Sequence, residues 1–423
     1  FAGRRDWLAN YFLEVRTIIH KILVDRALNT DEIRVEMQNI GVDPRGIKIM
    51  EDKFRHYIVK LFNLTFQQAA IIKQEMLARG AEAAVSWRVC SWQQSESEGE
   101  YEALLSGTMR QFQQLVIKLK QQPLGLPEIA AKIEAALENY SKKNISPIVI
   151  NNQTIDLNAR TYIMGIVNVT PDSFSKDGLY NQANYIDKAI EQANQMVADG
   201  ADFIDLGAES SRPGSQKISE EEEAKRLLPV LKEMVKAVKI PISVDTYKPV
   251  IAEKALNLGA AIINDIWGLK SPEDPERRMA QIVGEAKVPI IIMHNNTQPE
   301  YKYLIKEIVE SLNDSINIAT KYGIDSDQII IDPGIGFGKK YQDNLRVLQH
   351  LDQLKVLGRP ILLGTSRKSV IGLTLDLPVE ERLEGTIATA VWGIAKGVNI
   401  IRVHDVRPVA RAVKMCDAII QEQ

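Results

Sequence analysis

From Tyr162 to the C-terminus, short apolar runs alternate with amphipathic stretches of helical period, and nearly every run ends in a polar residue. Eight such runs can be counted: YIMGIVN (162–168), DFIDLG (202–207), PISVD (241–245), AAIIND (260–265), PIIIMH (289–294), IIIDPG (329–334), PILLGTSRK (360–368) and NIIRVH (399–404). Continuous Val/Ile/Leu strands separated by helices predict an α/β fold with a parallel sheet covered on both faces. Eight such units predict a closed (β/α)8 barrel, the TIM-barrel architecture. In that fold the C-terminal strand ends form the functional face. Asn168, Glu209, Asp245, Asn264, Met293, His294, Asp332, Lys368, Arg402 and His404 are therefore expected to converge on one mouth.

At 423 residues the chain is long for one barrel, since roughly 250 residues is typical. A smaller α+β domain is expected over 1–145, followed by the barrel over 146–423. Ahead of the barrel the periodicity predicts a helix near 5–24, a turn at Asp43-Pro44-Arg45-Gly46, a strand near 55–61, a helix near 66–79 and a strand over Ala83–Val89. An acidic loop (94–100), a strand near 102–106 and helices near 109–121 and 126–141 follow, and Ser141–Asn144 reads as the linker. The alternating runs around Asn151-Asn152 predict a hairpin that covers the barrel bottom. Barrel helices are predicted near 184–199, 219–238, 248–257, 275–286, 302–322, 341–354, 380–397 and 406–421.

A net charge of −3 with both signs interspersed argues against a nucleic-acid surface and for small-molecule or protein partners. No apolar run has the length of a membrane span. Two cysteines, Cys90 and Cys416, cannot build a disulfide framework or a four-ligand zinc site, which fits a reducing cytoplasm. The chain begins at Phe1 and not at Met, which leaves room for a preceding stretch.

The strand ends carry the chemistry. Asp245, Asn264 and Asp332 close three different runs. Carboxylates aimed at a ligand's N–H groups would give charge-assisted bonds of about 1.5–3 kcal/mol each; the alternative use of such residues is to cap the following helices. Arg402 and His404 alternate on the last run, and an anion is their natural ligand. Ser369 stands where it could cap the segment after GTSRK or present that segment's N-terminus to a carboxylate. GIGFGKK (334–340) lacks the spacing of a nucleotide-binding loop. No nucleophile paired with a base is legible.

The segments NVTPDSFS (168–175), IDLGAESSRPG (204–214), VDTYK (244–248), IINDI (262–266), DPGIGFGK (332–339), GTSRKS (364–369) and RVHDV (402–406) stand in the order of the dihydropteroate synthase signatures, and the chain resembles that family over 150–423. The resemblance implies condensation of p-aminobenzoate with a dihydropterin pyrophosphate, with Mg2+ as cofactor, sulfonamides as inhibitors and a homodimer formed through the barrel. It assigns pterin reading to Asp245, Asn264, Met293, Asp332 and Lys368, pyrophosphate to Asn168, Arg402 and His404, and the magnesium contact to Asn168. Phe174, Ser211, Arg212, Pro213, Phe337 and Ser369 would line the p-aminobenzoate pocket, with Arg367 packing nearby. Two departures from the family pattern are Ser211, where Thr is usual, and Lys176-Asp177-Gly178, where Asp-Gly-Gly is common. A corrinoid-linked pterin methyltransferase would share the barrel and part of the Asp/Asn set, and a non-catalytic pterin-binding module would share the fold. The N-terminal domain shows no Asp-x-Asp metal pair and only His20 and His56, which points to a structural, oligomerising or regulatory part.

Overall fold

The computed structural model describes residues 30–91, 101–141, 145–170, 184–209 and 217–421. The chain divides into two compact units, 1–134 and 135–423, with the division inside the helix Leu126–Ser141 and ahead of the polar stretch read as a linker. In the first unit three antiparallel strands, β1 (His56–Leu64), β2 (Glu82–Val85) and β3 (Tyr101–Thr108), pair in the order β1-β3-β2. Along β3 the buried residues Tyr101, Ala103 and Leu105 alternate with more open ones, so one face of the sheet is covered. Helices Phe66–Leu77 and Met109–Leu119 supply the cover with fully buried Ile72, Met76, Phe112 and Leu115. Both begin with Thr-x-x-Gln capping boxes at Thr65 and Thr108.

Two local expectations fail here for identifiable reasons. Asp43-Pro44 is not a free-standing turn: Asp43 caps the helix Pro44–Phe54 by accepting the Arg45 amide, and proline occupies the first helical position. The strand expected over Ala83–Val89 ends at Val85, because Ser86 caps a short helical turn, Trp87–Cys90, through the Arg88 amide. The expected helix near 5–24 and the acidic loop lie outside the described residues.

The second unit is the barrel. Its strands are β6 (Tyr162–Asn168), β7 (Phe203–Gly207), β8 (Ile242–Asp245), β9 (Ile262–Asp265), β10 (Ile290–Met293), β11 (Ile329–Asp332), β12 (Leu362–Leu363) and β13 (Ile400–Val403). They pair in parallel in the order β11-β10-β9-β8-β7-β6-β13-β12, and a parallel bridge from Ile331 to Ile361 closes the ring. Ile/Val/Leu runs buried on both faces make each strand, and helices such as Glu220–Ala237 and Val406–Gln421 return the chain outside them. The hairpin of β4 (Ile148–Ile150) and β5 (Gln153–Ile155) forms as expected, with Asn151 and Asn152 at φ of +50° and +61° in its turn. Its Ile148 and Ile150 cluster with Met164, Phe203, Ile262, Ile291, Ile330, Leu362 and Ile400 at the strand beginnings, closing the bottom.

Candidate functional site

Strand register assembles the mouth. Asn168 pairs with Gly207, Gly207 with Asp245 and Asp245 with Asn264 across four adjacent strands, and Met293 pairs with Asp332 two strands on. These residues thus stand level at the same end of the barrel. Asn264, Met293 and Asp332 are buried, while Asn168 and Asp245 are partly open to the mouth.

At the centre lies a charge web that sequence reasoning captured only in part. Arg402 donates from Nε to Asp205 Oδ2 at 2.6 Å and from its terminal nitrogen to Asp245 Oδ2 at 2.8 Å. Asn264 Nδ2 donates to the same Asp205 oxygen at 3.0 Å. Asp205 itself is fully buried. The signal for it was present: a carboxylate inside the apolar run DFIDLG is tolerable only if paired.

Burial pushes the Asp245 carboxyl up to about 7; Arg402 opposes the shift, while Asp205, Glu223 and Asp265 add to it. Asp332 is also raised by burial, against the pull of Lys368. Burial lowers Lys368 to about 8, with Asp332 opposing. Burial likewise disfavours the Arg402 charge, but Asp205 and Asp245 more than offset it and hold the guanidinium ionised. Mutually perturbed groups gathered at one mouth mark it as the candidate functional site.

The rim is built from named side chains too. Lys368 Nζ donates to the Ile335 carbonyl and stands 4.7 Å from the centroid of the Phe337 ring. His404 Nδ1 is 2.9 Å from Ser366 Oγ, so the two residues read as an anion pair are engaged separately here, Arg402 by carboxylates and His404 by a hydroxyl. Arg367 makes a two-pronged pair with Asp405, at 2.9 and 2.6 Å. Ser369 does not cap: it is the exposed first residue of the helix Ser369–Leu375, whose N-cap position is held by Lys368 without a side-chain bond.

Lys248 is a second residue the sequence reading passed over. Its ammonium reaches the Glu209 carboxylate, Glu223 Oε2 at 2.7 Å and the Ile218 carbonyl at 2.7 Å. It thereby ties the end of one barrel strand to the start of the next helix. Phe174, Ser211, Arg212 and Pro213 lie outside the described residues, as do Lys176 and Asp177.

Among the described residues no group of three His, Cys, Asp or Glu side chains could hold a metal ion. Asn168 offers a single neutral oxygen. That donor fits magnesium, which is held largely by phosphate and water, and does not fit a metal needing an all-protein cage.

The model of the family described as "Pterin binding enzyme" matches residues 164–404. A dihydropteroate synthase of Clostridium beijerinckii is 50% identical over 273 residues, covering 64% of this chain and 99% of that one. The crystal structure of a Clostridium difficile dihydropteroate synthase, solved in the presence of pteroic acid, superposes with a TM-score of 0.58 at 49% identity, covering 62% of this chain and 97% of that chain. A probable bifunctional folylpolyglutamate synthase/dihydropteroate synthase of Halobacterium salinarum aligns at 34% identity over 92% of this chain and 46% of its own length, so its match reaches into the N-terminal unit. Barrel, strand-end web and relatives agree, and the chain belongs to the dihydropteroate synthases, a family of pterin-binding enzymes.

Proposed function

We propose that this mouth condenses p-aminobenzoate with (7,8-dihydropterin-6-yl)methyl diphosphate, giving 7,8-dihydropteroate and pyrophosphate in folate synthesis. The observation that carries the reading is the convergence of Asp245, Asn264, Asp332 and Lys368 on neighbouring strand ends around Arg402. Asp245, Asn264 and Asp332 take the N–H and carbonyl edge of the pterin, Lys368 lies at its carbonyl and Met293 forms a wall. The bond from the methylene carbon to the bridging oxygen breaks first, and its electron pair leaves with pyrophosphate. Arg402 and His404 meet the growing negative charge, while Asp245 and Asp332 balance the positive charge left on the pterin methylene. The amine of p-aminobenzoate then supplies the pair for the new C–N bond and releases a proton. Asn168 would hold a magnesium ion, which when bound would neutralise charge on the pyrophosphate.

Phe337 forms one wall of the p-aminobenzoate pocket, completed by Phe174, Ser211, Arg212, Pro213 and Ser369. On this reading the pocket is finished only after the first substrate binds. A sulfonamide titrated into pterin-loaded enzyme should bind far more tightly with magnesium pyrophosphate than without it; equal affinities would show a pre-formed pocket and end the ordered scheme.

The enzyme works as a homodimer through the barrel in the cytoplasm. Adjacent barrel helices present exposed Leu345, Leu373, Trp392 and Met415, apolar side chains that a second copy would cover. Sedimentation of Leu373→Glu beside wild type tests this, and two identical profiles would contradict it. Among the described residues no helix is long and apolar enough to cross a membrane. The N-terminal unit carries none of the assigned residues and serves a structural, oligomerising or regulatory role. A chain lacking it should still turn over, and a folded but inactive fragment would refute that.

A further inference from the structure

The loop Gly334–Gly338, which follows β11 and carries Phe337, is held by its surroundings to an unusual degree. Gly334 and Gly338 have φ of +69° and +54°, and a Cβ on either would fall 2.0 Å from the His294 carbonyl oxygen or 2.2 Å from that of Asn296. The loop is thus pressed directly onto the backbone that leaves β10. Three of its five amides are taken: Gly334 N donates to Asp332 Oδ1 at 2.7 Å, Gly336 N to Asn344 Oδ1 at 2.7 Å and Phe337 N to the Gly334 carbonyl at 3.1 Å. Two of its carbonyls are taken from outside the loop, Ile335 by Lys368 and Gly338 by the Tyr301 hydroxyl at 2.5 Å.

Two further carbonyls of the loop share one donor. Lys339 Nζ turns back under the loop to reach Gly334 O and Phe337 O, each at 3.0 Å, and completes its set on His294 Nδ1 at 2.8 Å. Burial brings the Lys339 ammonium down to about 7, with Asp332 opposing; as an ammonium it only donates, and His294 then presents a lone pair at Nδ1 and carries its proton on Nε2. Burial, and then the neighbouring Lys339 charge, hold the His294 imidazole down to about 3, in agreement with a permanently neutral ring.

We propose that Lys339 is a positioning residue for the p-aminobenzoate site: by joining both ends of the glycine loop to His294, it holds the Phe337 ring in place beside Lys368. The proposal rests on the reading of Phe337 as a wall of that site. Lys339 touches no reacting atom. It acts by removing freedom that the other contacts leave to a loop with three glycines, and so narrows the positions open to Phe337.

The test uses the full-length enzyme in steady state. Lys339→Met should raise KM for p-aminobenzoate about tenfold while leaving kcat within about threefold and pterin affinity unchanged, a loss of about 1.4 kcal/mol confined to one substrate. Lys339→Gln, which keeps one donating amide, should recover part of the loss. Added to Phe337→Ala, Lys339→Met should raise KM no further, because the group it positions is already gone. Additive effects on KM, or an unchanged KM in both Lys339 variants beside a raised one in Phe337→Ala, overturn the proposal alone. An unchanged KM in Phe337→Ala overturns the pocket reading and the proposal with it. Should Lys339→Met fail to fold, Lys339→Gln carries the same comparison.

Discussion

The two ends of the barrel are made by the same strands and do opposite things. At the bottom, Ile148, Ile150, Met164, Phe203, Ile262 and Ile400 are apolar and at most 1% exposed, and the hairpin seals them from water. At the top, within a few residues along the same strands, Asp205, Asp245, Asp332, Lys368 and Arg402 crowd together. Burying those charges is unfavourable even when paired. The apolar end provides the stability that lets the polar end hold charges in a fixed arrangement before any ligand arrives. Stability and function are thus separated by the length of a strand.

That separation can be broken by experiment. The largest expected effect is Arg402→Ala, which leaves fully buried Asp205 facing Asp245 without its cation. Loss of one such electrostatic contact typically lowers kcat by about 10²–10³-fold. Ile150→Ala at the bottom should instead lower stability by about 2–5 kcal/mol and leave the rate per folded molecule alone. Thermal melts beside steady-state kinetics read both. A bottom variant that loses rate while folded, or Arg402→Ala with wild-type turnover, would collapse the distinction.

A smaller effect sharpens the comparison at the hairpin that seals the bottom. Asn152 sits at φ +61°, where a left-handed backbone suits glycine better than a branched residue. Asn152→Gly should stabilise by a few tenths of a kcal/mol and Asn152→Val should destabilise by about 1–2 kcal/mol. Denaturant midpoints should order the three proteins, with kinetics unchanged. A shift in pterin affinity would mean that the two ends communicate.

Much of the barrel was legible because continuous apolar runs and helical periods are local signals. The last helix runs from Val406 to Gln421, as its amphipathic pattern implies, and β6 spans the expected Tyr162–Asn168. Boundaries set by side-chain caps were less visible. Ser86 ended a strand early and Asp43 began a helix where a turn was read, because either residue type serves both purposes. At the site, strand-end residues could be named from order alone, but partners could not. That Arg402 on β13 meets Asp205 on β7 past the single strand β6, 197 positions away in sequence, depends on ring closure and has no local trace. Lys248 and Lys339 close two of the quoted signatures but received no role, because lysine after a strand or in a glycine loop ordinarily reads as a solvated surface residue.

The most direct test of the central claim, that the polar end is pre-arranged to read a pterin through Asp245, is calorimetric titration of a pterin analogue across about pH 5.5–8. Burial, reinforced by Asp205, holds the Asp245 carboxyl up to about 7 against the opposing pull of Arg402. Its anionic form, the one able to accept N–H bonds from a pterin, is therefore gained as pH rises through that value and lost below it. Affinity should climb toward pH 7 by up to about tenfold per unit and then level off. Asp245→Asn should bind at least about tenfold more weakly at pH 8 and lose the rise near 7. A wild-type affinity that stays flat with pH, together with wild-type binding by Asp245→Asn, would contradict the account.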